Sequence, residues 1–222
     1  MKIENIKSCV FDAYGTLFDV NSAAEKCKKK IGSRWENFAN AWRTTQLEYT
    51  WLRSLMKKHK NFWEITEDSL DHTMQTFKIK KEMRNELLNL YKELNPYPEV
   101  KQCLENLRNK KIKIAILSNG TPDLLKGLIE KNNIQNYFDD IFSIESVGIY
   151  KPDLKVYEMP IKKYECRPEN ICFMSSNTWD VSGGGIFGYN AVWVNRFNRV
   201  FDKLSYKPKY VISNLEELVK II

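Results

Sequence analysis

The 222-residue chain is long enough for one domain, or for one domain that carries an inserted subdomain. Hydrophobic residues make up 43% of it, but no stretch is long and apolar enough to predict a membrane span. The formal net charge is +7, yet the lysines are dispersed among acidic residues in helix-like segments, which is typical of solvated helix faces. We therefore expect neither a membrane nor a nucleic acid as a partner.

The five cysteines favour a reducing compartment. Their number is odd and no two have C-x-x-C spacing, so the sequence predicts neither a disulfide framework nor a zinc site. Residues 1–5 also lack the apolar stretch of a secretory signal. We expect a cytoplasmic protein without a bound metal.

Short apolar runs alternate with amphipathic stretches along most of the chain. The runs predict strands, in chain order, at residues 6–11, 113–117, 171–174, 191–194 and, at a sheet edge, 210–212. The amphipathic stretches predict helices at residues 99–109, 123–132, 154–164 and 215–221. Alternation of this kind indicates βαβ units, so we predict an α/β fold with a mainly parallel sheet.

Residues 18–97 interrupt this alternation, because they show helical periodicity and no convincing strand. One apolar helix face is predicted at Phe38, Trp42, Tyr49, Leu52 and Met56. Thr66, followed by two acidic residues, predicts a helix start, and Pro96 marks the end of the segment. We predict a helical cap at 18–97, inserted after the first strand of a catalytic core at 1–17 and 98–222, where it forms a lid.

Polar side chains follow the predicted strands. The first strand is followed by Asp12, Tyr14 and Thr16, the second by Ser118 and Asn119, and the third by Ser175, Asn177, Trp179 and Asp180, with Lys151 between the last two groups. The carboxyl ends of parallel strands meet at one sheet edge, where such folds bind ligands. Asp12 is therefore a candidate nucleophile, although an aspartate that only closes a turn is common.

The order of Asp12, Ser118, Lys151 and Asp180 resembles that of the haloacid dehalogenase superfamily, over essentially the whole chain. This resemblance implies a Rossmann-like core with a cap. Longer matches resemble the L-2-haloacid dehalogenases within that superfamily. They are Asp12-Ala13-Tyr14-Gly15-Thr16-Leu17, Trp42-Arg43, residues 46–53, residues 175–180, Phe187-Gly188 and Trp193-Val194-Asn195-Arg196.

Two departures from the superfamily pattern indicate which of the superfamily's activities this chain has. Most members are magnesium-dependent phosphatases, in which a second aspartate protonates the leaving group; Tyr14 stands at that position here. Ser176 replaces an aspartate that helps those phosphatases to hold the metal. Both changes favour halide displacement without a metal. A phosphatase on small phosphate esters and a catalytically idle binding protein are the alternatives.

The resemblance implies that Asp12 attacks C2 of a short-chain L-2-haloacid and forms an aspartyl ester. Water would then hydrolyse the ester and release a D-2-hydroxyacid, since one displacement inverts C2. No cofactor is implied, and the family suggests a homodimer formed through cap and core helices. Thr44 stands where a pocket residue of the family is often glutamine, which affects the expected substrate range.

The resemblance also assigns the site residues. The implied catalytic set is Asp12, Thr16, Arg43, Ser118, Lys151, Ser175, Asn177 and Asp180. The implied substrate and halide set is Tyr14, Arg43, Leu47, Phe62, Ser118, Asn119 and Trp179.

Each implied role has a purely structural alternative. Lys151 would keep Asp12 ionised, since a nearby cation favours the charged carboxylate, but it could be a surface lysine. Asp180 would orient Lys151 or prepare the hydrolytic water, or else only cap a helix. Arg43 would receive the departing halide, or else pair with an acid of the cap. Phe62 could be plain core.

Overall fold

Six parallel strands form one sheet in the computed structural model, which describes residues 2–20 and 22–222. The strands are β1 Ser8–Phe11, β2 Lys113–Ser118, β3 Asp140–Ser143, β4 Ile171–Ser175, β5 Asn190–Val194 and β6 Tyr210–Ile212. Their order across the sheet is β3-β2-β1-β4-β5-β6, and every neighbouring pair is parallel. The predicted α/β fold with a Rossmann-like parallel sheet is confirmed, with β6 at an edge.

The position of β1 in the middle of the sheet determines where the first loop emerges. All four of its residues are buried, and Phe11 lies opposite Ile116 of β2 and Met174 of β4. The strand begins at Ser8, two residues later than the sequence predicted. Asp12 therefore leaves the sheet between the carboxyl ends of β2 and β4.

The sequence did not predict β3. Its four residues are Asp-Ile-Phe-Ser, so only two apolar side chains stand between polar ones, and only Phe142 and Ser143 are buried. Such a short segment carries no apolar run or alternation that periodicity can detect.

The segment between β1 and the next core helix is helical, as the sequence predicted. Its helices are α1 Ser22–Lys26, α2 Lys28–Ile31, α3 Trp35–Leu55, α4 Phe62–Phe77 and α5 Arg84–Tyr91. The two ends of the segment are hydrogen-bonded to each other, since Tyr97 N donates to Leu17 O at 3.0 Å and Asp19 N donates to Asn95 O at 3.0 Å. The division into a cap at 18–97 and a core at 1–17 and 98–222 stays a prediction.

The predicted apolar face of α3 is wrong at its carboxyl end. Phe38 and Trp42 are buried, but Leu52 and Met56 are 50% and 60% exposed. The buried face instead continues through two polar residues, Gln46 and Thr50. A pattern based on apolar residues alone could not find a buried face that turns polar half-way along the helix.

The predicted helix start at Thr66 is also wrong. Helix α4 begins at Phe62, after Asn61, whose side chain accepts from Glu64 N while the Glu64 side chain accepts from Asn61 N. Thr66 lies one turn inside the helix, wholly buried, and its hydroxyl donates to Phe62 O at 2.8 Å.

The remaining helices cover the sheet. They are α6 Val100–Asn109, α7 Pro122–Lys131, α8 Leu154–Tyr164, α9 Thr178–Phe187 and α10 Leu218–Ile221. Helices α6, α7 and α8 agree with the predicted ranges to within one residue at each end. Residues 215–221 are not one helix, because a 3-10 turn at Leu215–Glu217 precedes α10. The sequence missed α9, which contains three consecutive glycines, poor helix formers in an isolated segment.

Two expectations about the whole chain can be compared with the structure. All five cysteines are free, and Cys9 and Cys172 are buried in strands β1 and β4. Among the described residues, no helix combines the length and the apolar character that a membrane crossing needs.

Candidate active site

Asp12 lies directly beyond the carboxyl end of β1, where the parallel sheet directs its loops. Its main-chain N–H donates to Met174 O at 2.9 Å, which extends the β1–β4 pairing by one residue. The carboxylate contacts Ser175 and Asn177 at the end of β4 and Lys151, which lies between β3 and α8. Its side chain is only 7% exposed.

The two oxygens of Asp12 have different partners. Oδ2 accepts from Asn177 Nδ2 at 2.8 Å, from Thr16 Oγ1 at 3.0 Å and from Ser175 Oγ at 3.4 Å. Oδ1 faces Lys151 Nζ at 3.3 Å. One oxygen is therefore held by three neutral donors, while the other faces a single cation.

Lys151 also forms an ion pair with Asp180, and both side chains are wholly buried. Lys151 Nζ lies 2.9 Å from Asp180 Oδ2. Burial raises the pKa of Asp180 above the ordinary value of an aspartate, and the charge of Lys151 opposes this rise. Asp180 lies in the first turn of α9, where its carboxylate binds Lys151 and not the helix main chain.

Tyr157 is a site residue that the sequence did not single out. Its hydroxyl donates to Asp180 Oδ1 at 2.7 Å, so both oxygens of Asp180 are engaged. Burial raises the pKa of Tyr157 well above its ordinary value, which keeps the hydroxyl protonated as a donor. Tyr157 lies on the buried face of α8, where the sequence pattern indicates only a core residue.

Ser118 is the last residue of β2 and Asn119 follows it, at the same sheet edge. Ser118 is wholly buried, and its hydroxyl oxygen accepts from Gly120 N at 3.1 Å. Asn119 Oδ1 accepts from the main-chain N–H of Lys151 at 3.1 Å. In the structure, Asn119 thus holds the segment that carries Lys151.

A cavity of about 440 Å³ opens beside Asn177, the hydrogen-bond partner of Asp12, while Asp12 itself is not among its described lining residues. Five predicted site residues line it: Tyr14, Arg43, Leu47, Asn177 and Trp179. Its lining also includes Phe197, Arg199 and Val200, which the sequence did not single out. The structure thus brings the helical segment and the sheet edge to one cavity.

Three predicted substrate-binding residues lie outside the described lining of this cavity: Phe62, Ser118 and Asn119. Phe62 is 1% exposed, and its ring centroid lies 5.3 Å from that of Tyr14. It therefore packs behind Tyr14. The sequence could not predict that these residues lie outside the cavity lining. The order of the loops along a sheet edge does not show on which side of Asp12 a cavity forms.

Within the part of the helical segment that the structure describes, Arg43 forms no ion pair with an acid. Its Nη1 donates to Gln46 Oε1 at 2.8 Å, and its side chain is half-buried at the cavity wall. Tyr14, 2% exposed, stacks on Tyr91 with ring centroids 5.6 Å apart. Burial raises the pKa of Tyr14 well above its ordinary value, so its hydroxyl stays neutral.

Within residues 2–20 and 22–222, no group of three or more His, Cys, Asp or Glu side chains is arranged to hold a metal ion. The nearest carboxylates, Asp12 and Asp180, both contact Lys151 Nζ, which lies where a cation would have to be coordinated. Ser176, at the position of the missing aspartate, accepts or donates a hydrogen bond with Thr16 at 3.2 Å. The expectation of a metal-independent reaction stays a prediction.

Known proteins match this chain in sequence over most of its length. A family model described as a haloacid dehalogenase-like hydrolase matches residues 6–188. The (S)-2-haloacid dehalogenase 1 of Pseudomonas sp. (strain CBS-3) is 39% identical over 99% of this chain and 98% of its own length.

Two solved structures have the same fold over nearly the whole chain. The structure of a dehalogenase superimposes with a TM-score of 0.96 at 34% identity and covers 99% of this chain and 98% of its own. The structure of an L-2-haloacid dehalogenase from Xanthobacter autotrophicus, with chloropropionic acid covalently bound, has a TM-score of 0.90 at 31% identity and covers 97% of each chain.

Proposed function

This chain belongs to the haloacid dehalogenase-like hydrolases, and on that premise we propose that it hydrolyses short-chain L-2-haloacids to D-2-hydroxyacids through an ester on Asp12. The observation that carries this proposal is the asymmetric environment of the Asp12 carboxylate. Among the described residues, three neutral donors hold Oδ2, and Oδ1 faces Lys151 alone. A nucleophile needs one oxygen with an accessible lone pair and a fixed orientation, and this arrangement provides both.

In the first step, Asp12 Oδ1 attacks C2 of the substrate from the side opposite the halogen. The new bond joins Oδ1 to C2, the carbon–halogen bond breaks, and its electron pair leaves with the halide. A halide is a very weak base and needs no proton. Tyr14, a neutral tyrosine in place of an acid, is compatible with such a leaving group.

In the second step, water attacks Cγ of the Asp12 ester. Negative charge then develops on Oδ2, which faces Asn177, Thr16 and Ser175. Donors already aimed at that oxygen stabilise the tetrahedral intermediate without reorganisation. Cleavage of the Cγ–Oδ1 bond returns the hydroxyacid with inverted C2, and the overall hydrolysis releases one halide ion and one proton.

The geometry favours one of the two roles considered for Asp180. Both of its oxygens are engaged, by Lys151 and by Tyr157, and its side chain is wholly buried. We assign it to orienting Lys151, so that the ammonium group holds Oδ1 of the nucleophile. Ser175 and Asn177, which contact Asp12 directly, are better placed to position water.

Arg43, Leu47 and Trp179 supply the substrate pocket. Arg43 provides a cation at the cavity wall for the departing halide, while Leu47 and Trp179 provide apolar walls that exclude stray water. We retain the expected roles of Ser118 in holding the substrate carboxylate and of Asn119 in receiving the halide. Ser118 ends β2 at the sheet edge, and Asn119 follows it and accepts from the main-chain N–H of Lys151.

A single turnover on L-2-chloropropionate in oxygen-18 water tests the function. The label should appear in Asp12, and the first-turnover lactate should contain none. Label that enters the lactate directly would show that water attacks C2 and would remove Asp12 as nucleophile. Asp12→Asn should abolish halide release while the far-UV circular dichroism stays unchanged.

A cytoplasmic homodimer completes the proposal. Five free cysteines fit a reducing compartment. Near its carboxyl end α3 exposes Leu52 and Leu55, which are 50% and 80% exposed, and α9 exposes Ile186. Exposed apolar side chains of this kind fit contact with a second copy of the chain. Light scattering should give a dimer mass, and Leu55→Lys should reduce it to that of a monomer.

A further inference from the structure

Gln46 is a buried polar residue to which the reaction described above gives no role. It is 1% exposed and lies on α3, one turn after Arg43. Its amide contacts three side chains: Oε1 accepts from Arg43 Nη1 at 2.8 Å, and Nε2 donates to Thr66 Oγ1 at 2.7 Å and to Tyr91 Oη at 3.1 Å. A buried amide with this many partners can adopt only one arrangement without losing hydrogen bonds.

Thr66 determines which end of the Gln46 amide faces Arg43. The single hydroxyl proton of Thr66 is donated to Phe62 O at 2.8 Å, so Thr66 Oγ1 can only accept from Gln46. Gln46 must therefore direct its NH2 group at Thr66 and its carbonyl oxygen at Arg43. In the reverse orientation, the N–H donors of Arg43 and Gln46 would face each other, although Gln46 is only 1% exposed.

This chain of hydrogen bonds is anchored at both ends. Trp42 Nε1 donates to the main-chain oxygen of Thr66 at 3.1 Å, which ties α3 to α4. The main-chain N–H of Phe62 donates to Glu145 Oε1 at 2.9 Å, across to the loop that follows β3. The acceptor offered to Arg43 is thus fixed relative to the sheet edge as well as within the helical segment.

We propose that Gln46 is a positioning residue that holds the Arg43 guanidinium at the cavity wall, in the orientation that receives the halide, which rests on the function proposed above. A long, flexible arginine at a half-buried position would otherwise sample several rotamers. Gln46 removes that freedom before substrate binds. Stabilisation of the departing anion then requires no reorganisation at the moment of bond cleavage.

Gln46→Met tests this role, because methionine has a similar length and offers no strong acceptor. The single-turnover rate of halide release from L-2-chloropropionate should fall by between about tenfold and a hundredfold, with little change in KM. Thr66→Val, which frees the Gln46 amide, should show part of this loss. Thr73→Val is the matched control, since Thr73 is also buried in α4 and donates to Ser69 O, without contacting Gln46.

A double-mutant cycle separates positioning from a general structural effect. In an Arg43→Met background, Gln46→Met should cause no further loss of the halide-release rate. An equal loss in both backgrounds would overturn the proposal, as would a wild-type rate in Gln46→Met alone.

A crystal structure of Gln46→Met distinguishes failure of this inference from failure of the proposed function. We expect the Arg43 guanidinium to leave the position that it occupies beside residue 46. A guanidinium that stays in place would overturn the positioning role even in a fully active enzyme. If the wild-type protein releases no halide, the proposed function is wrong. The position of Arg43 in the Gln46→Met crystal structure then still tests whether Gln46 positions Arg43.

Discussion

Lys151 Nζ and Asp180 Oδ2 lie 2.9 Å apart, and neither side chain is exposed to solvent. A buried ion pair of this kind requires that every remaining polar atom be satisfied, because unpaired charge in the interior is costly. Asp12 Oδ1 lies 3.3 Å from the Lys151 ammonium group, and the Tyr157 hydroxyl donates a hydrogen bond to the other oxygen of Asp180. The nucleophile is therefore part of one buried polar network that extends from β1 to α8 and α9.

The first prediction concerns the acid limb of the pH profile. Burial raises the pKa of Asp180, so this group takes up a proton at a higher pH than an ordinary aspartate, which titrates near ~4. Protonated Asp180 no longer holds Lys151, so kcat/KM should fall as the pH drops through the raised pKa. The midpoint of the acid limb should therefore lie at a higher pH than the pKa of an ordinary aspartate.

Tyr157→Phe should move that limb further toward neutral pH. The Tyr157 hydroxyl favours the ionised form of Asp180, and its removal raises the pKa of Asp180 again. Tyr189→Phe is the matched control, since the Tyr189 hydroxyl donates to the main chain of Tyr157 and not to Asp180. An acid limb that stays in place in Tyr157→Phe, measured as kcat/KM against pH, would contradict this assignment.

The second prediction concerns Gly183 in α9. A Cβ atom at this position would lie 2.5 Å from Tyr157 Oη and 2.8 Å from Pro152 Cβ, so a side chain must displace Tyr157. Gly183→Ala should lower kcat, because Tyr157 moves away from Asp180. It should also lower the free energy of unfolding by about 1–3 kcal/mol, the usual cost of overpacking.

Gly127→Ala provides the control for helix propensity. Gly127 lies in α7, and a Cβ there would meet no heavy atom within 4 Å. Alanine should therefore raise the free energy of unfolding by about 0.5–1 kcal/mol and leave kcat unchanged. Urea denaturation and steady-state kinetics on both variants test the pair. A Gly183→Ala protein as stable and active as the wild type would show that the close contact is not needed.

The third prediction concerns Arg196, which is hydrogen-bonded to the loop that carries Asp12. Its side chain is 7% exposed, it forms an ion pair with Glu99, and its Nη2 donates to the main-chain oxygen of Thr16 at 2.7 Å. Arg196→Met leaves Glu99 buried without its cation. The free energy of unfolding should fall by about 3–5 kcal/mol.

Arg108→Met is the comparison for an exposed ion pair. Arg108 lies 2.9 Å from Asp139, but these side chains are 44% and 30% exposed. Its loss should cost about 0–1 kcal/mol, because solvent already screens the two charges. Urea denaturation of both variants measures the difference. Similar losses would show that the burial of Arg196 does not control its contribution.

The fourth prediction separates halide displacement from phosphate hydrolysis. Lys151 Nζ lies within 3.3 Å of Asp12 and 2.9 Å of Asp180, in the place where a divalent cation would need both carboxylates. Halide release should therefore be unchanged by EDTA and by added Mg²⁺, and p-nitrophenyl phosphate should not be turned over. Loss of activity in EDTA with recovery in Mg²⁺ would favour the phosphatase alternative.

Local patterns predicted much of the fold. Apolar runs predicted five of the six described strands, and the alternation of runs with amphipathic stretches predicted the parallel sheet. The short β3 and the glycine-containing α9 escaped detection, since neither has a strong periodic pattern. The buried face of α3 was misplaced for a related reason, because Gln46 and Thr50 lie on it.

The meeting of Asp12, Lys151 and Asp180 at one sheet edge could be predicted from the sequence, because the loops that follow parallel strands share that edge, whereas their roles were implied by the family resemblance. The hydrogen-bond partner of each polar atom was decided only by the tertiary structure. Tyr157 reaches Asp180, Gln46 turns its carbonyl to Arg43, and Phe62 packs behind Tyr14. Periodicity reports which face of an element is buried, whereas a hydrogen bond depends on distances and directions between elements that are far apart along the chain.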